Sequence, residues 1–158
     1  MNNFQRAYAI SNAHVGRDFE EKAYQFFASR GIKLQKDLLV PVGVASLRKM
    51  RTFDLGNESE KILVECKLHK WTFGENVPSA KITVWNESMY YFHLAPEGYR
   101  KIFFVLRDHS PKRNITLAEH YIKNYGHLIP GDVEIVEYKY GKHIGKRHLG
   151  TRASDTST

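Results

Sequence analysis

Residues 102–106 read Ile-Phe-Phe-Val-Leu, an uninterrupted apolar run that narrows the architectures open to this chain. Side chains alternate across a strand, so five apolar residues in a row bury both faces. Such a strand belongs inside a sheet that is covered on each side. Elements able to supply that cover are visible on either side of it. His14 to Arg30 reads as a helix, with Phe19, Ala23, Phe26 and Phe27 at three- and four-residue spacings and Gly31 as its stop. Pro78 opens a second helix that carries Val84, Met89, Tyr91 and Phe92 as far as about Leu94, before Pro96 and Gly98. Thr116 to Tyr125 reads as a third, stopped by Gly126.

Three further strands precede the apolar run. Ile32 to Val40 is closed by Pro41 and Gly43, and Leu47 to Leu55 is entered through a basic patch of Arg48, Lys49 and Arg51. Gly56 and Asn57 mark a turn, which makes Ile62 to Leu68 a hairpin partner of the second strand. Val133 to Tyr138 alternates like a last strand. The order is helix, three strands, helix, strand, then helix and strand. This predicts an α/β fold, a mixed central sheet flanked by helices. A length of 158 residues fits one domain, placed at 1–138. The segment 139–158 is rich in Lys142, Lys146, Arg147 and Arg152, has no acid before Asp155, and is expected to be a mobile basic extension.

The hairpin strand carries the chemistry. In Lys61 to Lys67, Ile62, Val64 and Cys66 point one way and Leu63, Glu65 and Lys67 the other. An acid and an amine thus emerge side by side from a strand that begins as core, a costly arrangement unless something binds there. The turn would bring Asp54 beside Glu65. Two carboxylates suit a hard divalent cation such as Mg²⁺, with Mn²⁺ able to substitute. Such a cation polarises a phosphate and acidifies water, while a lysine orients that water or stabilises charge on phosphorus. Glu65 is a ligand first and a base second. Cys66 faces the core as a small apolar filler.

Asp54 followed by Glu65-Cys66-Lys67 resembles the D…(D/E)xK core of the PD-(D/E)xK nuclease superfamily, which includes restriction endonucleases and Holliday-junction resolvases. The resemblance covers roughly residues 14 to 108 and implies a restriction-endonuclease-like α-β-β-β-α-β core. It also implies an acid on the first helix after a glycine. In Gly16-Arg17-Asp18-Phe19-Glu20 that acid is Glu20, with Glu21 as the competing residue. Thr52-Phe53 replaces the proline often found before the aspartate, and the Gln-x-x-x-Tyr of the RecB-like branch is absent. The implied activity is Mg²⁺-dependent endonucleolytic hydrolysis of DNA by Asp54, Glu65, Lys67 and Glu20, with a homodimer needed to cut both strands. The rivals are a catalytically silent DNA-binding or structural subunit and an RNA-processing nuclease.

Lys and Arg number 24 against 17 Asp and Glu, a net charge of +7 that favours a polyanionic partner. Arg48, Lys49, Arg51, Lys142, Lys146 and Arg147 would hold the backbone. Lys81, Asn86 and Glu87 either touch substrate or form a polar outer face. Trp71 and Phe73 follow the motif directly, and either stack on a base or cap the core. Glu137-Tyr138-Lys139 repeats the triplet, but on a last strand where it reads as a solvated edge. Eight scattered histidines lack zinc-ligand spacing, and the lone Cys66 permits no intrachain disulfide. No small-molecule cofactor is implied. No apolar run approaches the roughly 18 to 20 residues of a membrane span, and Met1 to Asn12 lacks a secretory h-region. A cytoplasmic protein is expected.

Overall fold

The computed structural model describes the backbone of residues 3–149 and the side chains of residues 12–141. The architecture is α/β. Helix α1 (Asn3–Ala28) leads into β1 (Gln35–Val42), β2 (Lys49–Asn57) and β3 (Ile62–Lys67). Helix α2 (Ser79–Leu94) crosses to β4 (Arg100–Leu106). A two-strand ribbon, β5 (His109–Ser110) with β6 (Ile115–Thr116), precedes α3 (Leu117–Tyr125), β7 (Val133–Lys139) and β8 (Lys142–Leu149). The main sheet runs β1-β2-β3-β4-β7-β8. Its two parallel steps, β3 to β4 and β4 to β7, follow the two helical crossovers, and the other steps are antiparallel. The mixed, helix-flanked sheet read from the sequence is therefore present.

The apolar run behaves as its composition requires. Ile102 and Phe104 face α1, packing with Phe19, Ala23, Phe26 and Phe27. Phe103 and Val105 face the other layer, with Trp85, Met89 and Phe92 of α2 and Leu117 and Tyr121 of α3. Burying each such side chain contributes about 1.5–3 kcal/mol, so both helical layers are held by this strand and its neighbours. Among the described residues no helix is long and apolar enough to cross a membrane.

Four local readings are corrected. Helix α1 begins at Asn3 rather than near His14. A helix extends by one backbone hydrogen bond per residue, and nothing before Gly16 breaks it, so it outruns its apolar stripe. Gly56 and Asn57 do not form the turn; they pair with Leu63 and Ile62 inside the hairpin. Gly56 is required by crowding, since a Cβ there would lie 2.5 Å from Leu38 Cδ2 and 2.7 Å from the Ile62 carbonyl oxygen. The left-handed turn residue is Lys61, at φ 56°. The presumed edge at Glu137 is interior: Glu137 is fully buried on β7, and its Oε2 meets Arg107 Nη1 at 3.4 Å. The cause is β8. Residues Lys142–Leu149, expected as a mobile extension, pair antiparallel with β7. The side chains of Lys142, Lys146 and Arg147 lie outside the described residues, as does the whole of 150–158.

Candidate active site

The site lies where β2 and β3 part. Their ladder runs from Asn57↔Ile62 to Leu55↔Val64 and stops there. One more step would set Asp54 opposite Glu65. Instead the Cys66 N–H, deprived of a backbone partner on β2, donates to Asp54 Oδ2 at 2.7 Å. The carboxylate thus takes the place of a ladder carbonyl and is fixed by β3 itself. Its other oxygen has no such constraint from Cys66.

Glu65 is 1% exposed on the face opposite Cys66. A buried carboxylate needs partners, and two cations supply them. Arg51 Nη2 donates to Oε1 at 3.2 Å and Lys67 Nζ to Oε2 at 3.3 Å. Burial, and then the charge of Asp54, still raise its proton affinity, with Lys67 and Arg51 pulling the other way.

Helix α1 brings in Glu20. Phe19 and Ala23 are fully buried against the sheet, and this docking turns the adjacent Glu20 toward the splayed strands. Burial pushes its pKa up to about 6, helped by Asp54 and then Asp37 and opposed by Lys67. Glu21 faces away, ion-paired to Lys36, which holds its pKa down. The choice between the two acids thus falls on Glu20. Asp54 and Lys67 act electrostatically on both Glu20 and Glu65, and all four charged groups bear on the Cys66 thiol, which burial pushes far up.

These are hard oxygen donors crowded by like charge, a donor set that fits Mg²⁺. Among the described residues no three acidic, His or Cys side chains are gathered tightly enough to hold an ion as they stand. The hydrogen bonds account for this: Glu65 is drawn toward Arg51 and Lys67, and Asp54 toward Cys66.

Arg51 does not lie where the sequence reading put it, and Trp71 takes the second of its two readings. Arg51 turns inward and its guanidinium stacks 3.6 Å from the centroid of the Tyr91 ring on α2, so it braces Glu65 rather than joining a surface patch. Trp71 caps the core. It is 8% exposed, and its backbone N–H and indole N–H donate to Asp108 Oδ2 and Asp108 O at 2.8 and 3.1 Å. Arg48 and Lys49 stay exposed at the β1–β2 turn, roughly 17 Å along β2 from Asp54 at 3.3–3.4 Å per residue. Lys81 is exposed on α2, and Asn86 is held inward, accepting a hydrogen bond from the Tyr121 hydroxyl.

One residue near the site escapes the sequence reading. His69 follows Lys67 by two, and its Nδ1 accepts the indole N–H of Trp85 at 2.8 Å. Burial, then Lys81 and Lys67, push its pKa down to about 4. It is therefore neutral at pH 7, and the hydrogen bond places its remaining proton on Nε2. The only sequence signal was parity with Glu65 and Lys67. Compared with known proteins, the chain matches no family model, no curated protein and no solved structure.

Proposed function

We propose that this protein is a metal-dependent nuclease of the PD-(D/E)xK type, hydrolysing DNA phosphodiesters at Asp54, Glu65, Lys67 and Glu20. The observation that carries the reading is Asp54 anchored at the strand splay through the Cys66 N–H, where its charge raises the proton affinity of both Glu20 and Glu65. Desolvation joined to a specific charge partner makes a carboxylate a functional-site candidate. The order of the first six elements is also that of a restriction-endonuclease-like core.

Asp54, Glu65 and Glu20 would hold Mg²⁺, or Mn²⁺ in its place. A cation there supplies Lewis acidity to the phosphate and a lowered pKa to water. Asp54 presents its second oxygen from a carboxylate already anchored to β3. Arg51, clamped on Tyr91, orients Glu65 and opposes the rise in its proton affinity. Lys67, at the open end of β3, can exchange its contact with Glu65 for a phosphate oxygen, stabilising charge that builds there. Above about pH 6 Glu20 ionises and adds the third carboxylate. His69 offers a neutral donor beside Lys67. Arg48 and Lys49 supply backbone attraction from the hairpin turn, and two copies are needed to cut both strands of a duplex.

One observation favours the catalytically silent alternative: Arg51 and Lys67 already neutralise Glu65, as a structural ion pair would. The deciding experiment is plasmid and RNA digestion by wild type and Lys67→Ala, in Mg²⁺ and in EDTA. Cleavage of DNA by wild type in Mg²⁺ alone, reduced at least 100-fold in the variant, supports the nuclease. Equal cutting by both proteins, or none by either, refutes it.

A further inference from the structure

The loop after the motif presents an aromatic ring to solvent on a fixed support. Phe73 is fully exposed. It sits in a turn closed by the Thr72 N–H to Asn76 O at 3.1 Å, the Glu75 N–H to Thr72 O at 2.8 Å, and the Asn76 N–H to Thr72 Oγ1 at 3.0 Å. Glu75 holds a left-handed backbone, φ 56°, which a non-glycine residue adopts only when its surroundings impose it. Those surroundings are the β5–β6 connection. The Ser110 hydroxyl donates to Glu75 Oε1 at 2.7 Å, the Lys112 N–H to the same oxygen at 3.2 Å, and Arg113 Nε to the Glu75 carbonyl at 2.6 Å. Trp71, anchored on Asp108, fixes the other end.

None of this bonding involves the Phe73 ring. A turn tied down at both ends therefore displays an apolar side chain that adds nothing to the core. Exposed Lys70, Lys112 and Arg113 flank it in the chain or across the brace. A single exposed apolar residue needs no explanation by itself. A rigid aromatic interleaved with cations, six residues from Lys67, has the chemistry of a base-stacking platform for single-stranded nucleic acid. Six residues span at most about 22 Å, so the ring is within reach of a strand a few nucleotides long that also meets the candidate site. A paired, stacked base offers no free face to such a ring; an unpaired one does.

We infer that Phe73 stacks on an unpaired nucleobase within a few nucleotides of the scissile phosphate, so that the preferred substrate is forked, branched or single-stranded DNA rather than continuous duplex. The inference rests on the nuclease reading for its choice of ligand, but its test needs no cleavage. In EDTA, full-length wild type, Phe73→Ala and Phe73→Trp are titrated with a forked oligonucleotide carrying 2-aminopurine at the unpaired position, and with the matching duplex. The fork-to-duplex affinity ratio should fall about tenfold in Phe73→Ala and recover in Phe73→Trp, in line with stacking losses on alanine substitution. Quenching of the 2-aminopurine should follow the same pattern. An unchanged ratio with unchanged quenching overturns the inference, as does failure of the fork to bind. Loss of quenching in Phe73→Ala by a wild type that never cuts in Mg²⁺ would keep the platform and remove the nuclease.

Discussion

Replacing Asp54 by Asn separates its structural role from its electrostatic one. The amide oxygen can still accept the Cys66 N–H, now bonded at 2.7 Å, so the β3 anchor survives. What disappears is a negative charge that both Glu20 and Glu65 feel. Glu20 is raised from 4.5 to about 6. At about 1.4 kcal/mol per unit, ionising it in the folded protein costs about 2 kcal/mol. Burial is the larger cause and solvent screens the partly exposed carboxylate, which leaves Asp54 a share of about 0.5–1 kcal/mol. The sign follows from linkage. A raised folded pKa favours the fold below the unfolded value, and that contribution is lost as pH rises through about 6. At pH 7.5 wild type therefore carries the repulsion in full and Asp54→Asn carries less of it. In EDTA the variant should melt about 1–4 °C above wild type, since about 1 kcal/mol moves a domain of this size by 2–4 °C. In the proposed nuclease, added Mg²⁺ should reverse the order. At ten times its Kd, a ligand bound only to the folded state stabilises by about 1.4 kcal/mol, and only wild type should gain it. Scanning calorimetry of both proteins, with EDTA and with Mg²⁺, reads all four values. A variant less stable than wild type in EDTA, or one that gains as much from Mg²⁺, refutes the reasoning.

Two further outcomes follow from the same geometry. Glu20 must lose its proton before it can attract a cation, so Mg²⁺ half-saturation should fall about tenfold between pH 5 and pH 7 and level off above, with a much flatter profile in Glu20→Gln; isothermal titration across that range measures both. His69→Phe leaves the Trp85 indole N–H without its acceptor and should cost about 1–3 kcal/mol in urea unfolding, and an unchanged midpoint would show that the 2.8 Å contact is not worth a hydrogen bond.

What could be read from the chain divides by distance along it. The apolar run of β4 announced a two-sided interior strand because that requirement is carried by adjacent residues. The parity of Glu65 and Lys67 was legible for the same reason, and Leu63 and Val64 do fall in opposite cores. Arg51 was read as surface because its neighbours Arg48 and Lys49 are basic. Its actual direction depends on Tyr91 and Glu65, 40 and 14 residues away. Trp71 could not be assigned to core or surface without Asp108, which supplies both acceptors from 37 residues on. The partner of His69, Trp85, lies on a helix whose rotation the sequence left open. Glu137 was misjudged because the strand paired beside it, β8, contains a glycine and three cations in eight residues and has no period of its own. Pairing with β7 made it a strand.

The charges at the splay add up in a way that bears on order of binding. With all three carboxylates ionised, Glu20, Asp54 and Glu65 contribute three negative charges, and Arg51 and Lys67 two positive ones, leaving one negative charge among these five side chains. A divalent cation alone would turn that into one excess positive charge in a half-buried setting. A phosphodiester alone would add to the negative excess. Only the two together bring the site to neutrality, and desolvated charge is tolerated best when balanced. In the proposed nuclease, metal and DNA should therefore each raise the other's affinity by the same factor, as linkage requires. The buried Arg51–Glu65 pair sharpens this coupling. Without Arg51 the site would stand at two negative charges and accept a divalent cation with no substrate present, and the metal would no longer report that a phosphate had arrived.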